Sequence, residues 1–406
     1  MDRASVFGTD GWGFESLRAR LLHPAVRDCI EAVERAFASD SRTPPPSSDA
    51  ALAKAVERLS DLYTTQRGKL AAEQADAVHL AAKREYFLAS DAPKVALALD
   101  ECAARSDTFA RLATSERLRV IDLGAGVGAT SVGFIAWLAG MRARGATAAA
   151  PRRVAFHAIE LGAPAARAYE EAVHAAATAA RIDATITVEA RDFRTVEPPP
   201  SCDLILCQTA LNELLVGERH AAATVDLVTG WARHAPLLVI EPALWTTSRA
   251  LMALRDDLLA RGGAHVVAPC PHQRPCPMLA REGDWCHEAR RIDPTPRVAR
   301  IDRLVGRRDG RALFAFLATA PGPASAVSPP TLVRLVTDTL GSRGKTERAV
   351  CRADGELRLM RLLDREVRDG NRAFLDAERG ALLSIEPMPP NDRISPDADV
   401  RQQPHA

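Results

Sequence analysis

Between Leu118 and about Thr319 the chain alternates short apolar runs with longer Ala-rich stretches. The runs are Arg119–Leu123, Val154–Glu160, Thr185–Ala190, Asp203–Cys207, Leu237–Glu241, His265–Ala268 and Ala312–Thr319. Runs of this length suit strands, and the stretches between them are long enough for helices. Parallel neighbours need such crossovers, because their ends cannot be joined by a tight turn. A sheet with helices on both faces should have continuously apolar central strands, as Leu237-Leu238-Val239-Ile240 is. The expected fold class is therefore α/β, a doubly wound, mostly parallel sheet of seven strands.

The flanks read differently. Before Ser115 the pattern is helical. In Ala51–Tyr63, Leu52, Val56, Leu59 and Tyr63 recur three or four apart behind the cap candidates Ser47-Ser48-Asp49. Gln74–Leu88 and Lys94–Ala104 also read as helices. After Pro330, Thr346–Cys351 and Glu356–Leu363 flank Arg352-Ala353-Asp354-Gly355, where Asp-Gly signals a hairpin turn. Breaks fall at Thr43–Ser48, Glu197–Ser201 and Pro321–Thr331. The expected organisation is a helical domain over 1–114, a Rossmann-like domain over 115–325, a small β-containing domain over 326–386 and a disordered polar tail over 387–406.

With 53 Lys and Arg against 52 Asp and Glu, the formal charge is +1, so bulk charge points to no polyanionic partner. The cations are 48 Arg and 5 Lys, a bias that fits the Ala-rich composition better than phosphate recognition. The best apolar run, Val132–Gly140, falls well short of the ~20 residues of a membrane helix. Met1–Trp12 lacks the apolar core of a signal peptide. The expectation is a cytoplasmic protein with reduced thiols and no membrane partner. Its eight cysteines then call for chemistry other than disulfides.

Val120-Ile121-Asp122-Leu123-Gly124-Ala125-Gly126-Val127-Gly128 ends the first strand and opens a helix. Glycines permit a sharp turn and close approach of a ligand, and a helix N-terminus offers unpaired N–H groups. The D-x-G-x-G-x-G spacing departs from the G-x-G-x-x-G of dinucleotide folds. It resembles motif I of class I S-adenosylmethionine-dependent methyltransferases. That resemblance implies that Asp122, Gly124, Gly126 and Gly128 surround the methionine portion of the cofactor. It also implies that Glu160 accepts from the ribose hydroxyls, that Asp192 meets the adenine amino group and that Phe193 flanks the ring. Glu160 lies further from the turn than the usual ~20 residues, a spacing that the insertion Met141–Arg153 explains. The plain alternative is a tight turn that binds nothing.

A second constellation follows the sixth strand. Cys270 and Cys276, each followed by Pro, precede Cys286, and Cys351 lies far downstream. Four thiolates can complete a tetrahedral zinc site or a 4Fe–4S cluster. The C-x5-C-x9-C spacing suits the short pairs of zinc ribbons poorly, and Cys-Pro also ends ferredoxin motifs. An iron–sulfur cluster is favoured, with zinc as the alternative and His272 and His287 as extra candidates there. Cys29, Cys102, Cys202 and Cys207 sit in helix or strand patterns and read as packing residues.

Taken together, Ile121–Gly128, Leu204–Leu215, Pro269–Cys276 and Asp284–His287 resemble the methyltransferase-like assembly factors of the mitochondrial small ribosomal subunit and their bacterial relatives. The resemblance runs from roughly Ala55 to Leu383. It implies a Rossmann-like seven-stranded class I methyltransferase sheet and S-adenosylmethionine binding. It further implies a 4Fe–4S cluster on Cys270, Cys276, Cys286 and Cys351, in the loop 268–290 and the C-terminal domain, and action on small-subunit RNA. The family's usual C-terminal basic stretch is here Leu362-Leu363-Asp364-Arg365-Glu366, a departure from the pattern.

Catalysis is less legible. Methyl transfer needs positioning more than acid–base groups. The acceptor side should follow the fourth strand, at Cys207-Gln208-Thr209-Ala210-Leu211-Asn212-Glu213, where Asn212 and Glu213 are the candidates. The Asn/Asp-Pro-Pro-Tyr motif of many amino-methylating enzymes is absent. An active methyltransferase on RNA or another acceptor, and a non-enzymatic zinc-stabilised scaffold, are the competing readings. Arg281–Arg311 carries nine Arg against six acids, a modest basic stretch beside the metal loop.

Overall fold

The computed structural model describes residues 22–40, 48–64, 77–145, 152–198, 201–215, 221–307, 310–324 and 328–403. Five helices come first: α1 (Pro24–Ser39), α2 (Asp49–Thr64), α3 (Ala77–Ala82), α4 (Leu88–Arg105) and α5 (Asp107–Thr114). Helix α1, which the sequence reading did not single out, buries Val26, Ile30, Val33 and Phe37 on one stripe. Ser48 caps α2 by accepting from the Ala51 N–H at 3.2 Å; Ser47 lies outside the described residues. The two helices read at Gln74–Leu88 and Lys94–Ala104 are one continuous run from Ala77. A π turn at Lys83–Phe87 joins α3 to α4, which carries Pro93 inside it. Residues 74–76 lie outside the described residues.

The main sheet contains β1 (Arg117–Leu123), β2 (Arg152–Ile159), β3 (Ile182–Glu189), β4 (Leu204–Gln208), β5 (Leu237–Pro242), β6 (Ala264–Ala268), β7 (Glu288–Arg291) and β8 (Arg311–Pro321). Its order is β3-β2-β1-β4-β5-β8-β6. Strands β1 to β5 pair in parallel, and β8 runs antiparallel between β5 and β6. This is the expected Rossmann-like, mostly parallel α/β sheet of seven strands, with the short β7 added on β8. Crossovers are made by α6 (Ala129–Ala143), α7 (Ala163–Ala180), the short α8 (Asn212–Leu215) with α9 (Ala221–His234), and α10 (Trp245–Arg261); α11 (Pro296–Leu304) lies between β7 and β8.

Period-two alternation sends Val120 to one face of the sheet and Ile121 to the other. The first face shares its core with α1 to α5, so the leading helices pack as part of the same body. Helix α6 comes close to α4 at Gly133, where a Cβ would stand 2.4 Å from the Ala92 carbonyl oxygen. Among the described residues, no helix is long and apolar enough to cross a membrane.

The second sheet holds β9 (Leu332–Leu335), β10 (Leu340–Ser342), β11 (Lys345–Arg352), β12 (Leu357–Leu363), β13 (Leu382–Glu386) and β14 (Asp399–Gln402), with a short helix α12 (Ala373–Asp376). The β11–β12 hairpin turns where Asp354-Gly355 places it. The segment expected to be a disordered tail instead carries β14, antiparallel to β13. Its polar, Pro-rich composition hid Ile394, Ala398 and Val400, which are buried in the core of this sheet.

Candidate functional site

The glycine turn sits at the carboxyl end of β1, where the sheet order reverses between β1 and β4. Open α/β sheets bind ligands at such a reversal. Gly124 and Gly126 have φ of +67° and +54°. A Cβ on Gly124 would lie 2.5 Å from the Ala210 Cβ, whereas one on Gly126 would meet nothing nearer than the Gly124 carbonyl oxygen at 4.0 Å. The space over Gly126 is thus open. Gly128 begins α6.

Glu160 leaves β2 and braces the turn. Its Oε2 accepts from the Gly126 N–H and its Oε1 from the Gly162 N–H, both at 2.8 Å. Phe193 lies within 3.6 Å of the Gly124 Cβ position, beside Trp231. Asp192 caps its own turn by accepting from the Arg194 N–H at 2.9 Å, and it pairs with the Arg194 guanidinium, which lowers its pKa. Asp122 is completely buried beneath the turn. Its Oδ2 accepts from Ser131 Oγ at 2.7 Å, while Oδ1 has no partner. Burial raises its pKa to about 7, against the lowering effect of Ser131.

The acceptor candidates separate. Asn212 is buried and engaged: its N–H and its Nδ2 donate to the Glu241 carboxylate at 3.0 and 2.6 Å. Glu213 is exposed. Sequence reasoning missed Glu241, which is buried at the end of β5. Its place at the carboxyl end of an interior strand was the available signal.

The cysteines come together. Cys270, Cys276, Cys286 and Cys351 line one cavity of about 40 Å³, alongside Ser248, Met252, Arg255, His272, His287 and Arg334. Residues 270–286 descend from β6, and Cys351 reaches the cavity from β11. Burial pushes the Cys276 thiol up to about 11 and those of Cys286 and Cys351 higher still. Burial, then Arg255, brings His272 down to about 4; its Nε2 lies 3.2 Å from Cys351 Sγ. Burial also brings His287 down to about 4, and its Nδ1 has no partner. Among the described residues, no three His, Cys, Asp or Glu side chains are gathered into a ready metal site. The other four cysteines pack as expected: Cys29, Cys102 and Cys207 are buried, and Cys202 is half-buried against the Leu204 carbonyl.

A buried ion network closes the cavity wall. Arg334 on β9 donates to Glu101 Oε1 at 2.6 Å, to the Pro269 carbonyl at 2.8 Å and to Glu288. Arg290 donates to Glu288 at 2.8 Å and to the Gly380 carbonyl at 2.5 Å. Arg105 on α4 donates to the Cys270 carbonyl at 2.6 Å. The cysteine loop is therefore fixed from α4, β7 and β9 at once.

The model of the family described as "Mitochondrial small ribosomal subunit Rsm22" matches residues 56–380. The chain belongs to this family. No curated protein sequence matches it significantly. Among solved structures, a Listeria monocytogenes protein assigned to the class I S-adenosylmethionine-dependent methyltransferases is similar at 10% identity and TM-score 0.36, over 75% of this chain and 90% of that one. An uncharacterized protein from Burkholderia thailandensis is similar at 14% identity and TM-score 0.33, over 70% of this chain and 96% of that one.

For an Rsm22-family chain, the basic stretch at 281–311 was a natural place to look for a polyanion surface. The structure neutralises most of it. Arg281 pairs with Asp284, Arg290 with Glu288, Arg291 with Glu378, Arg297 with Glu85, Arg300 with Asp49 and Arg311 with Asp338. Arg308 and Asp309 lie outside the described residues. The apparent excess shrinks because Glu85, Asp49, Glu378 and Asp338 come from other parts of the chain.

Proposed function

We propose that this chain is an S-adenosylmethionine-binding, iron–sulfur, methyltransferase-like factor that acts on the small ribosomal subunit through its RNA. One observation carries the reading: in a chain of the Rsm22 family, four cysteines from distant segments line one buried cavity on a methyltransferase sheet.

The glycine turn fits the cofactor. Gly126 leaves open space over the turn. Glu160 keeps carboxylate lone pairs available beyond its two backbone partners, as acceptance from ribose hydroxyls requires. Phe193 would flank the adenine, and Asp192 would exchange Arg194 for the adenine amino group. Bound S-adenosylmethionine supplies an electrophilic methyl group. Asn212 is already engaged by Glu241, which favours binding and assembly over turnover.

The four thiols that line the cavity are the donor set a tetrathiolate group requires, and binding would draw them closer than they stand. Cys270, Cys276, Cys286 and Cys351 would hold it, in a largely apolar wall with Arg255 beside Cys270. A 4Fe–4S cluster there supplies a cross-link between the cysteine loop and the second sheet, and folding of that region depends on it.

One anaerobic preparation tests both sites. We expect a brown protein with about 4 Fe per chain, and calorimetric binding of S-adenosylmethionine that Gly126→Arg abolishes. A colourless, zinc-loaded protein would replace the cluster by zinc. Silence of both wild type and variant would remove the cofactor. Transfer of labelled methyl to purified small-subunit RNA would make the protein an active methyltransferase.

A further inference from the structure

We propose that Arg255 is the positioning residue of the cysteine cavity, orienting Cys270 and compensating the negative charge of the metal group that the four thiolates would hold. This rests on the iron–sulfur reading above.

Arg255 lies in the last turns of α10 and is buried. Its Nε donates to Cys270 Sγ at 3.2 Å. Its Nη2 donates to the His272 carbonyl at 2.7 Å and its Nη1 to the Arg274 carbonyl at 2.6 Å. The neighbouring Asp256 accepts from the Cys276 N–H at 2.8 Å and from Arg255 itself. Two consecutive residues of one helix therefore set two of the four cysteines. His272, held by Arg255, extends the chain of contacts to Cys351 Sγ.

Charge points the same way. Four thiolates around a 2+ core, whether zinc or an oxidised 4Fe–4S core, leave a net charge of about −2. A dianion in an apolar cavity needs a buried cation with N–H groups aimed at it. Arg334 is already engaged by Glu101 and Glu288. Arg379 donates to the Trp285 carbonyl. Arg255 also pairs with Asp256 through Nη1, but its Nε donates directly to a ligand sulfur. Hydrogen bonds to cluster sulfur stabilise the more reduced, more negative state and so raise the potential. Lysine at this place keeps the charge but loses the planar fork that spans Cys270, His272 and Arg274.

The test uses the full chain, reconstituted anaerobically with iron and sulfide, as wild type, Arg255→Gln and Arg255→Lys. Folding of each is checked by circular dichroism. Metal loss to a chelator and the midpoint of one-electron reduction by dithionite are measured. We expect Arg255→Gln to lose metal about tenfold faster and to titrate at a more negative potential. Arg255→Lys should fall between it and wild type, and it carries the test if the glutamine variant does not fold. Equal metal retention and equal midpoints in all three overturn the proposal and leave the iron–sulfur reading standing. If the wild type takes zinc instead, chelator rates decide in the same way. A wild type that retains neither metal marks failure of the metal reading, and the role of Arg255 falls with it.

Discussion

The glycine turn and the cysteine cavity are built on different principles. The turn is made of consecutive residues, Val120–Gly128, closed by one carboxylate from the next strand. The cavity draws on α10, the loop after β6, the approach to β7, and β11, from Ser248 to Cys351. A local site can fail alone, because its shape is set by a few φ angles and a helix start. A site drawn from distant segments fails together with the packing that gathers them. Substitutions in the two regions should therefore report differently: ligand binding for the turn, and cooperative stability for the cavity.

The largest effect expected is at Cys351. Cys351→Ser should lose the metal and loosen the second sheet, read by metal analysis and by limited proteolysis between 328 and 403. Full metal retention would show that Cys351 is no ligand and would dissolve the contrast. Next comes Glu288→Ala, which leaves Arg334 and Arg290 buried with Glu101 as the one carboxylate they share. Removing one member of such a network costs about 3–5 kcal/mol, measurable by urea unfolding of the metal-free protein. A change below about 1 kcal/mol would mean that the network is solvated and does not bind the segments together.

In the turn, Gly124→Ala meets both a left-handed φ and the Ala210 methyl, and should cost about 1–3 kcal/mol. Gly126→Arg faces open space and should cost about 1–2 kcal/mol, yet abolish S-adenosylmethionine binding. If both variants bind the cofactor like wild type, the turn is only a turn. The smallest effect concerns pH. Asp122 keeps its proton to about pH 7 in the native state, whereas an unfolded aspartate releases it near 3.8. Between those values the native state binds more protons, so stability falls as pH rises. Asp122→Asn should flatten the urea-midpoint profile between about pH 4 and 7, and an unchanged slope would place the proton elsewhere.

The sequence reading was strongest where structure is local and periodic. Strands β1 to β6 and β8 fall where apolar runs predict them, most plainly β4 and β5, whose burial on both faces leaves little latitude in composition. That Glu160 and Phe193 would lie at the turn followed from the resemblance to motif I, and both do lie there; their roles toward a cofactor are proposals. What escaped notice depends on partners far away in the chain. Arg334 and Glu101 stand 233 residues apart and carry no local signal of the pair they form. Glu241 looked like a strand-end acid and in fact locks Asn212. The basic stretch at 281–311 lost part of its excess to carboxylates from 49, 85, 338 and 378. The polar tail hid β14 because only its inward positions are apolar.

Cys351 also imposes an order in time. It follows Cys286 by 65 residues, so at roughly 5–20 residues per second the ribosome making this chain adds it about 3 to 13 seconds later. During that interval three thiols exist without the strand that completes their enclosure. Were a metal group delivered to this cavity as proposed, its window would open with Cys286 and shut when β11 pairs with β9 and β12.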